Sequence, residues 1–215
     1  MLRNILLLLS LTVVWAPALT GCDKRGDSSS QETDEATRAS SEESGQAWQR
    51  VSESELDQQG RGMLAEARSA QKKLGSSLKE ALTGAVEESS FDGAVDFCQK
   101  QAPALAREVS DEAGVEIGRT SHKLRNPDNA PPTWAEDVVE SQQKGKYVFR
   151  GPKGKLGYLH PIELGGLCVN CHGPEEKLAP DVKEMLTKHY PKDEATGFEV
   201  GDLRGWFWVE VPPPS

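Results

Sequence analysis

The chain has 215 residues, 36% hydrophobic and 27% charged, with a formal net charge of −9 and four cysteines. That acidity excludes nucleic-acid binding through the protein's net field. Once the N-terminal segments are set aside, the length suits one hydrophobic core and one domain.

Arg3 gives a short positive start, and Ile5 to Val14 is an apolar stretch. At about ten residues it is too short for a dedicated membrane span and suits a secretory leader. Leu19-Thr20-Gly21-Cys22 follows and resembles the lipobox of bacterial lipoproteins. Residues 1–21 are then a lipoprotein signal peptide, and Cys22 becomes a lipidated N-terminus. An ordinary secretory signal with a chance thiol at Cys22 is the alternative. The lipobox implies lipid anchoring in the bacterial cell envelope, on the periplasmic side of the inner or outer membrane. Loss of the leader removes Arg3 and takes the net charge from −9 to −10. Residues 22–58 are rich in Ser, Glu, Asp, Gln and Thr. They bury too little apolar surface to offset ordering and read as a disordered tether. One folded domain is expected over 59–215.

Met63, Ala67, Ala70, Leu74, Leu78, Leu82 and Val86 step at helical spacing, which predicts an amphipathic helix. Ser89, Ser90 and Asp92 are cap-type residues. Phe91, Val95, Cys98, Ala102, Leu105 and Val109 then predict a second long helix with Cys98 on its apolar stripe and a kink or break at Pro103. Gly114 closes it, and Val115 to Thr120 alternates as a strand. Residues 125–133 form a rigid proline-containing turn, and Trp134 to Gln143 a short helix. Lys146 to Arg150 and Lys155 to His160 read as a hairpin around Gly151-Pro152-Lys153-Gly154. That Gly/Lys run lacks the spacing of a phosphate loop. Pro180 to Tyr190 is expected to be helical and Gly205 to Val211 a strand. Helices first and a hairpin-rich sheet later predict an α+β fold with an antiparallel sheet.

Between the hairpin and the helix at 180 lies Cys168-Val169-Asn170-Cys171-His172. C-x-x-C-H at this spacing reads as a covalent attachment site for c-type haem. Each cysteine sulfur can join one porphyrin vinyl group, and the adjacent histidine can supply an imidazole nitrogen to the iron. C-x-x-C by itself also suits a redox dithiol or half a zinc site. No βαβ pattern surrounds it, and no second ligand pair at similar spacing accompanies it. One haem c per chain is therefore the expected cofactor. Covalent haem attachment outside the bacterial cytoplasm agrees with the leader.

The second axial position decides the function. Its candidates are Cys98, His122, His160, His189, Met63 and Met185. Cys98 is the one cysteine left over once Cys22, Cys168 and Cys171 have roles; a buried structural thiol is the competing reading. The two haem propionates need cationic partners, for which Arg119, Lys123, Arg125 and Arg204 are available, Arg125 first because Asn126-Pro127 fixes its backbone. Trp134, Trp206 and Phe207 suit either porphyrin packing or ordinary core packing.

Ala94-Val95-Asp96-Phe97-Cys98, Ala102 to Ala106, Arg119-Thr120-Ser121, Leu124-Arg125-Asn126-Pro127, Asn129-Ala130-Pro131, Cys168 to Gly173, Ala195 to Phe198 and Gly201-Asp202-Leu203-Arg204-Gly205 together resemble a bacterial family of extracytoplasmic haem-c-binding domains. The family was long labelled a domain of unknown function. The resemblance runs from about Met63 to Val211. It implies a PAS-like fold with two long N-terminal helices. It also implies that Cys98 serves as the axial ligand opposite His172.

The expected function is a membrane-tethered redox or small-gas sensing module, with a gas such as nitric oxide as a possible ligand. A separate redox or signalling protein would receive the signal. The alternative is an electron-transfer monohaem cytochrome c lipoprotein. No distal acid/base motif of the kind a haem enzyme needs is present, so an enzyme is not expected.

Overall fold

The computed structural model describes residues 47–214. The leader, Cys22 and the tether up to residue 46 lie outside the described residues. Helix α1 (Gln58–Ala113) begins where the Asp57 carboxylate accepts the Gly60 N–H at 2.8 Å, and it ends at Gly114 in the left-handed conformation (φ 64°). It is interrupted at Ser90 (φ 63°, ψ −177°), so it consists of the two long arms expected, 58–89 and 91–113. The break lies at the cap-type serines and not at Pro103, which keeps helical angles within the second arm.

Five strands follow the chain: β1 (Gln49–Val51), β2 (Glu116–Thr120), β3 (Tyr147–Arg150), β4 (Leu156–Glu163) and β5 (Leu203–Val211). They form one antiparallel sheet in the order β1-β3-β4-β5-β2. The expected hairpin is β3 and β4, with Tyr147 opposite Leu159 and Arg150 opposite Leu156. Short helices complete the fold: α2 (Glu136–Ser141), α3 (Val169–His172) and α4 (Pro180–His189). The architecture is α+β, with helices and an open antiparallel sheet in one domain.

Strand alternation sorts the core into two faces. Val148, Leu156, Tyr158, Val209 and Val211 point to the first arm of α1, where Met63, Leu64, Ala67, Ala70 and Leu74 meet them. Tyr147, Phe149, Leu159 and Trp206 point to the other face and pack on Trp134, Ala135, Val138 and Val139. Each large apolar side chain so buried contributes about 1.5–3 kcal/mol. A third cluster joins Val95 of the second arm to Leu178, Val182 and Leu186 around α4. This cluster brings the second arm to the C-x-x-C-H segment.

The tether boundary needs correction. Residues 49–58, expected to be disordered, carry β1 and the start of α1. Trp48 stacks on Trp134 with ring centroids 5.1 Å apart, and Val51 packs on the core. A three-residue polar edge strand has no periodicity to read, but its backbone pairing with β3 and one aromatic anchor suffice to order it.

Candidate functional site

A cavity of about 250 Å³ lies between the second arm of α1, β2, the α3 segment and the start of β5. Cys98, Arg119, Arg125, Cys168, Cys171, His172 and Arg204 all line it. These seven residues, all singled out from the sequence, are therefore in one place, although the chain separates Cys98 from Arg204 by most of the domain.

The C-x-x-C-H segment is a single helical turn. The His172 N–H donates to the Cys168 carbonyl at 3.0 Å, and the Gly173 N–H to the Val169 carbonyl at 2.9 Å. Gly173 is required: a Cβ there would lie 2.5 Å from the Val169 oxygen. A later segment clasps this turn. The Gly197 N–H donates to the Gly173 carbonyl at 2.9 Å and the Phe198 N–H to the His172 carbonyl at 3.0 Å. The Gly-Asp-x-Arg-Gly segment then re-enters the sheet, with the Leu164 N–H donating to the Asp202 carbonyl and the Gly201 N–H to the Leu164 carbonyl, both at 2.9 Å.

His172 Nδ1 is 2.7 Å from the Ala195 carbonyl and 3.3 Å from Arg204 Nε. Both contacts cannot be hydrogen bonds, because the carbonyl requires a proton on Nδ1 and the guanidinium requires a lone pair. The shorter contact decides: Nδ1–H donates to Ala195, and Arg204 merely approaches. Nε2 is then the unprotonated nitrogen, and it has no hydrogen-bond partner among the described residues. Burial, followed by the Arg125 and Arg204 cations, holds the His172 pKa well below the usual histidine range. The ring is neutral, the form in which it can bind a metal ion.

The three cavity cysteines are free thiols. Burial pushes the Cys171 thiol up to about 11, against the nearby Arg125 charge. Burial likewise raises Cys98, opposed by Arg119 and Arg125.

The arginines divide into two roles. The Arg125 Nε–H donates to Asp193 Oδ2 at 3.0 Å, and Nη2 donates to the carbonyls of Cys171 at 2.5 Å and Ala195 at 3.3 Å. This ion pair is only 14% and 10% exposed at its two side chains. Arg125, the first choice for a propionate, is thus occupied by a carboxylate of the protein itself. Arg119 has no hydrogen-bonding or acidic partner among the described residues, and desolvation lowers its pKa. Arg204 donates from Nη1 to the Lys123 carbonyl at 3.1 Å and has no acidic partner among the described residues; burial first, then Arg125 and Arg119, lower its pKa to about 10. Arg119 and Arg204 are therefore the cations available to an anionic ligand. Lys123 points its ammonium to the Thr196 carbonyl at 3.3 Å.

The other candidate ligands lie elsewhere. Met63 is in the main core, and Met185, on α4, packs against the cluster of Val95, Leu178, Val182 and Leu186. His122 sits against Phe198 and Trp206. His160 shares a 3.0 Å hydrogen bond with the Tyr158 hydroxyl, and the Gln99 side chain holds His189 at 2.7 Å. None of these lines the cavity, whereas Cys98 does. Trp134, Trp206 and Phe207 are core residues and do not line it either. Asp193 and the Ala195 carbonyl were missing from the sequence reading; Asp193 carries no spacing signal, because its partner Arg125 lies 68 residues away.

Among the described residues the arrangement has the donor set a c-type haem needs: two thiols one turn apart, a neutral imidazole with Nε2 unpartnered, a third thiol lining the same cavity, and two guanidinium groups without counter-charge. Fold and site together define an α+β domain built around one C-x-x-C-H cavity. The chain belongs to the Tll0287-like family, whose model matches residues 49–212. This bears out the resemblance carried by Cys168 to Gly173 and the Gly-Asp-x-Arg-Gly segment. Among solved structures, the crystal structure of the cyanobacterial heme-protein Tll0287 is similar, with 20% sequence identity and a TM-score of 0.52 over 74% of this chain and 99% of that chain. That likeness shows the shared fold. No curated protein matches the chain.

Proposed function

We propose that this protein is a membrane-tethered, extracytoplasmic c-type haem protein that senses redox state or a small gas. Cys168 and Cys171 would hold one haem covalently, His172 Nε2 and the Cys98 sulfur would ligate its iron, and Arg119 and Arg204 would meet its propionates. The haem supplies one-electron redox chemistry and an iron that small gases such as nitric oxide can bind. The single observation that carries this reading is that, of six candidates for the sixth ligand, only Cys98 shares the cavity with His172. The similar structure is itself that of a heme-protein.

Cys98 is the residue through which a signal passes. It lies on the arm that follows the break at Ser90, so its attachment or release bears on a whole helical arm. Lipid on Cys22 and the tether after it keep the domain at the membrane, where a separate protein reads its state. We assign no catalytic residue.

A second reading, electron transfer as a monohaem cytochrome c lipoprotein, draws on Leu167. This side chain lines the cavity and is 36% exposed, which places an apolar edge of the site at the surface.

Purified protein made with haem-maturation machinery tests the proposal. A pyridine haemochrome spectrum of the c type is expected; its absence overturns the haem assignment. Cys98→Ala is expected to abolish the low-spin ferric paramagnetic resonance signal of the wild type, and an unchanged signal removes Cys98 from the iron. Redox titration separates the two functions. Loss of a ligand on reduction, or gas binding, supports sensing; a reversible couple with constant ligation supports transfer.

A further inference from the structure

Arg125 and Asp193 form a buried ion pair that shares the Ala195 carbonyl with His172. Asp193 uses both oxygens: Oδ2 accepts the Arg125 Nε–H at 3.0 Å and Oδ1 accepts the Ala195 N–H at 2.8 Å. Arg125 in turn donates to the Cys171 carbonyl, at the C-x-x-C-H turn, and to the Ala195 carbonyl. That carbonyl is the one that accepts the His172 Nδ1–H. The pair therefore fixes both ends of residue 195 and ties it to the turn carrying His172. The Glu194 N–H donating to the Leu124 carbonyl at 2.9 Å holds the same loop against the residue preceding Arg125. Arg125 also competes with His172 for the Ala195 oxygen, so its charge limits how strongly that oxygen can pull on the imidazole proton.

We infer that the Arg125–Asp193 pair is a positioning device for the proximal ligand, which sets the orientation of His172 and the iron potential, and that Arg125 is not a propionate clamp. The inference rests on the haem reading above. Its electrostatics are specific. With both partners present the pair is neutral towards the iron. Without Asp193, an unpaired cation remains beside the histidine and favours the reduced, less positive iron. Without Arg125, an unpaired carboxylate remains and the Ala195 carbonyl is freed to accept more strongly, both of which favour the oxidised iron.

The test compares wild type, Asp193→Asn, Arg125→Gln and the double variant as holoproteins. Asp193→Asn keeps the acceptor for the Ala195 N–H, and Arg125→Lys is the conservative control should Arg125→Gln fail to accumulate. The expected result is c-type haem in all of them, a midpoint potential raised in Asp193→Asn, lowered in Arg125→Gln, and near wild type in the double variant. The iron–histidine stretch in the resonance Raman spectrum of a five-coordinate ferrous form should move in both single variants. A purely structural pair would lower the melting temperature without moving that stretch. A wild-type stretch and unmoved midpoint potentials in both single variants would overturn the inference while leaving the haem assignment intact. Absence of c-type haem from the wild type would overturn both.

Discussion

Gly205 lies so close to Thr120 that a Cβ on the glycine would fall 2.1 Å from the Thr120 carbonyl oxygen. Its φ of 156° is also one that side-chain-bearing residues rarely adopt. The contact lets β5 start flush against the end of β2, next to Arg204, whose own carbonyl accepts the Ser121 hydroxyl at 2.6 Å. Gly205→Ala combines a backbone clash with a disfavoured φ. The expected destabilisation is about 3 kcal/mol or more, measured by urea unfolding at constant m-value, together with reduced haem incorporation because Arg204 is displaced.

Gly173→Ala should act on the site with less effect on the sheet. Its Cβ would press on the Val169 carbonyl and open the turn that presents Cys168, Cys171 and His172. The expected outcome is a several-fold lower yield of covalent haem per protein, read from the haemochrome absorbance against total protein. The three hydrophobic clusters share no atom with residue 173, so β-sheet circular dichroism should be retained.

Ser90→Gly should stabilise the protein. Ser90 is exposed and has φ 63° with ψ −177°, a combination that only glycine adopts without strain. Relief of that strain is worth about 1 kcal/mol even after the extra freedom glycine gives the unfolded chain. Chemical denaturation of the two proteins side by side measures it; Ser90→Val is expected to move the midpoint the opposite way.

Cys171 titrates near 11 because it is buried. Only the thiolate is nucleophilic, so in haem-free protein at pH 8 it should alkylate about a hundredfold more slowly than a thiol of ordinary pKa. The sign is fixed by deprotonation. The rate rises about tenfold per pH unit up to the region of 11 and levels off above it. Iodoacetamide labelling followed by peptide mass spectrometry resolves Cys171 from Cys98 and Cys168.

Local patterns carried much of the fold. The two helical arms, the β3–β4 hairpin and the last strand each have a periodicity or a turn that shows in a short window, and the structure has them where expected. The cavity residues were readable because haem chemistry names its own donors: two cysteines, a histidine, a leftover thiol and arginines for the propionates. What could not be read was pairing at a distance. Arg125 is a plausible propionate partner until Asp193 is seen to occupy it. Trp134 and Trp206 suit a porphyrin face until the second face of the sheet claims them. The strand at Gln49–Val51 has no apolar rhythm and exists through its backbone pairing with β3.

The clasp formed by residues 195–205 has a consequence for biogenesis. The carbonyls of His172 and Gly173 are bonded by N–H groups about 25 residues further along, and Arg204 precedes the last strand, while Cys98 is made early. A chain emerging in synthesis order exposes both C-x-x-C-H thiols before the segment that locks them has arrived. On the proposed function, attachment would meet an unlatched turn before the final strand docks. Truncation before residue 195, which removes every clasp donor, is accordingly expected to give a chain that can be loaded but not sealed.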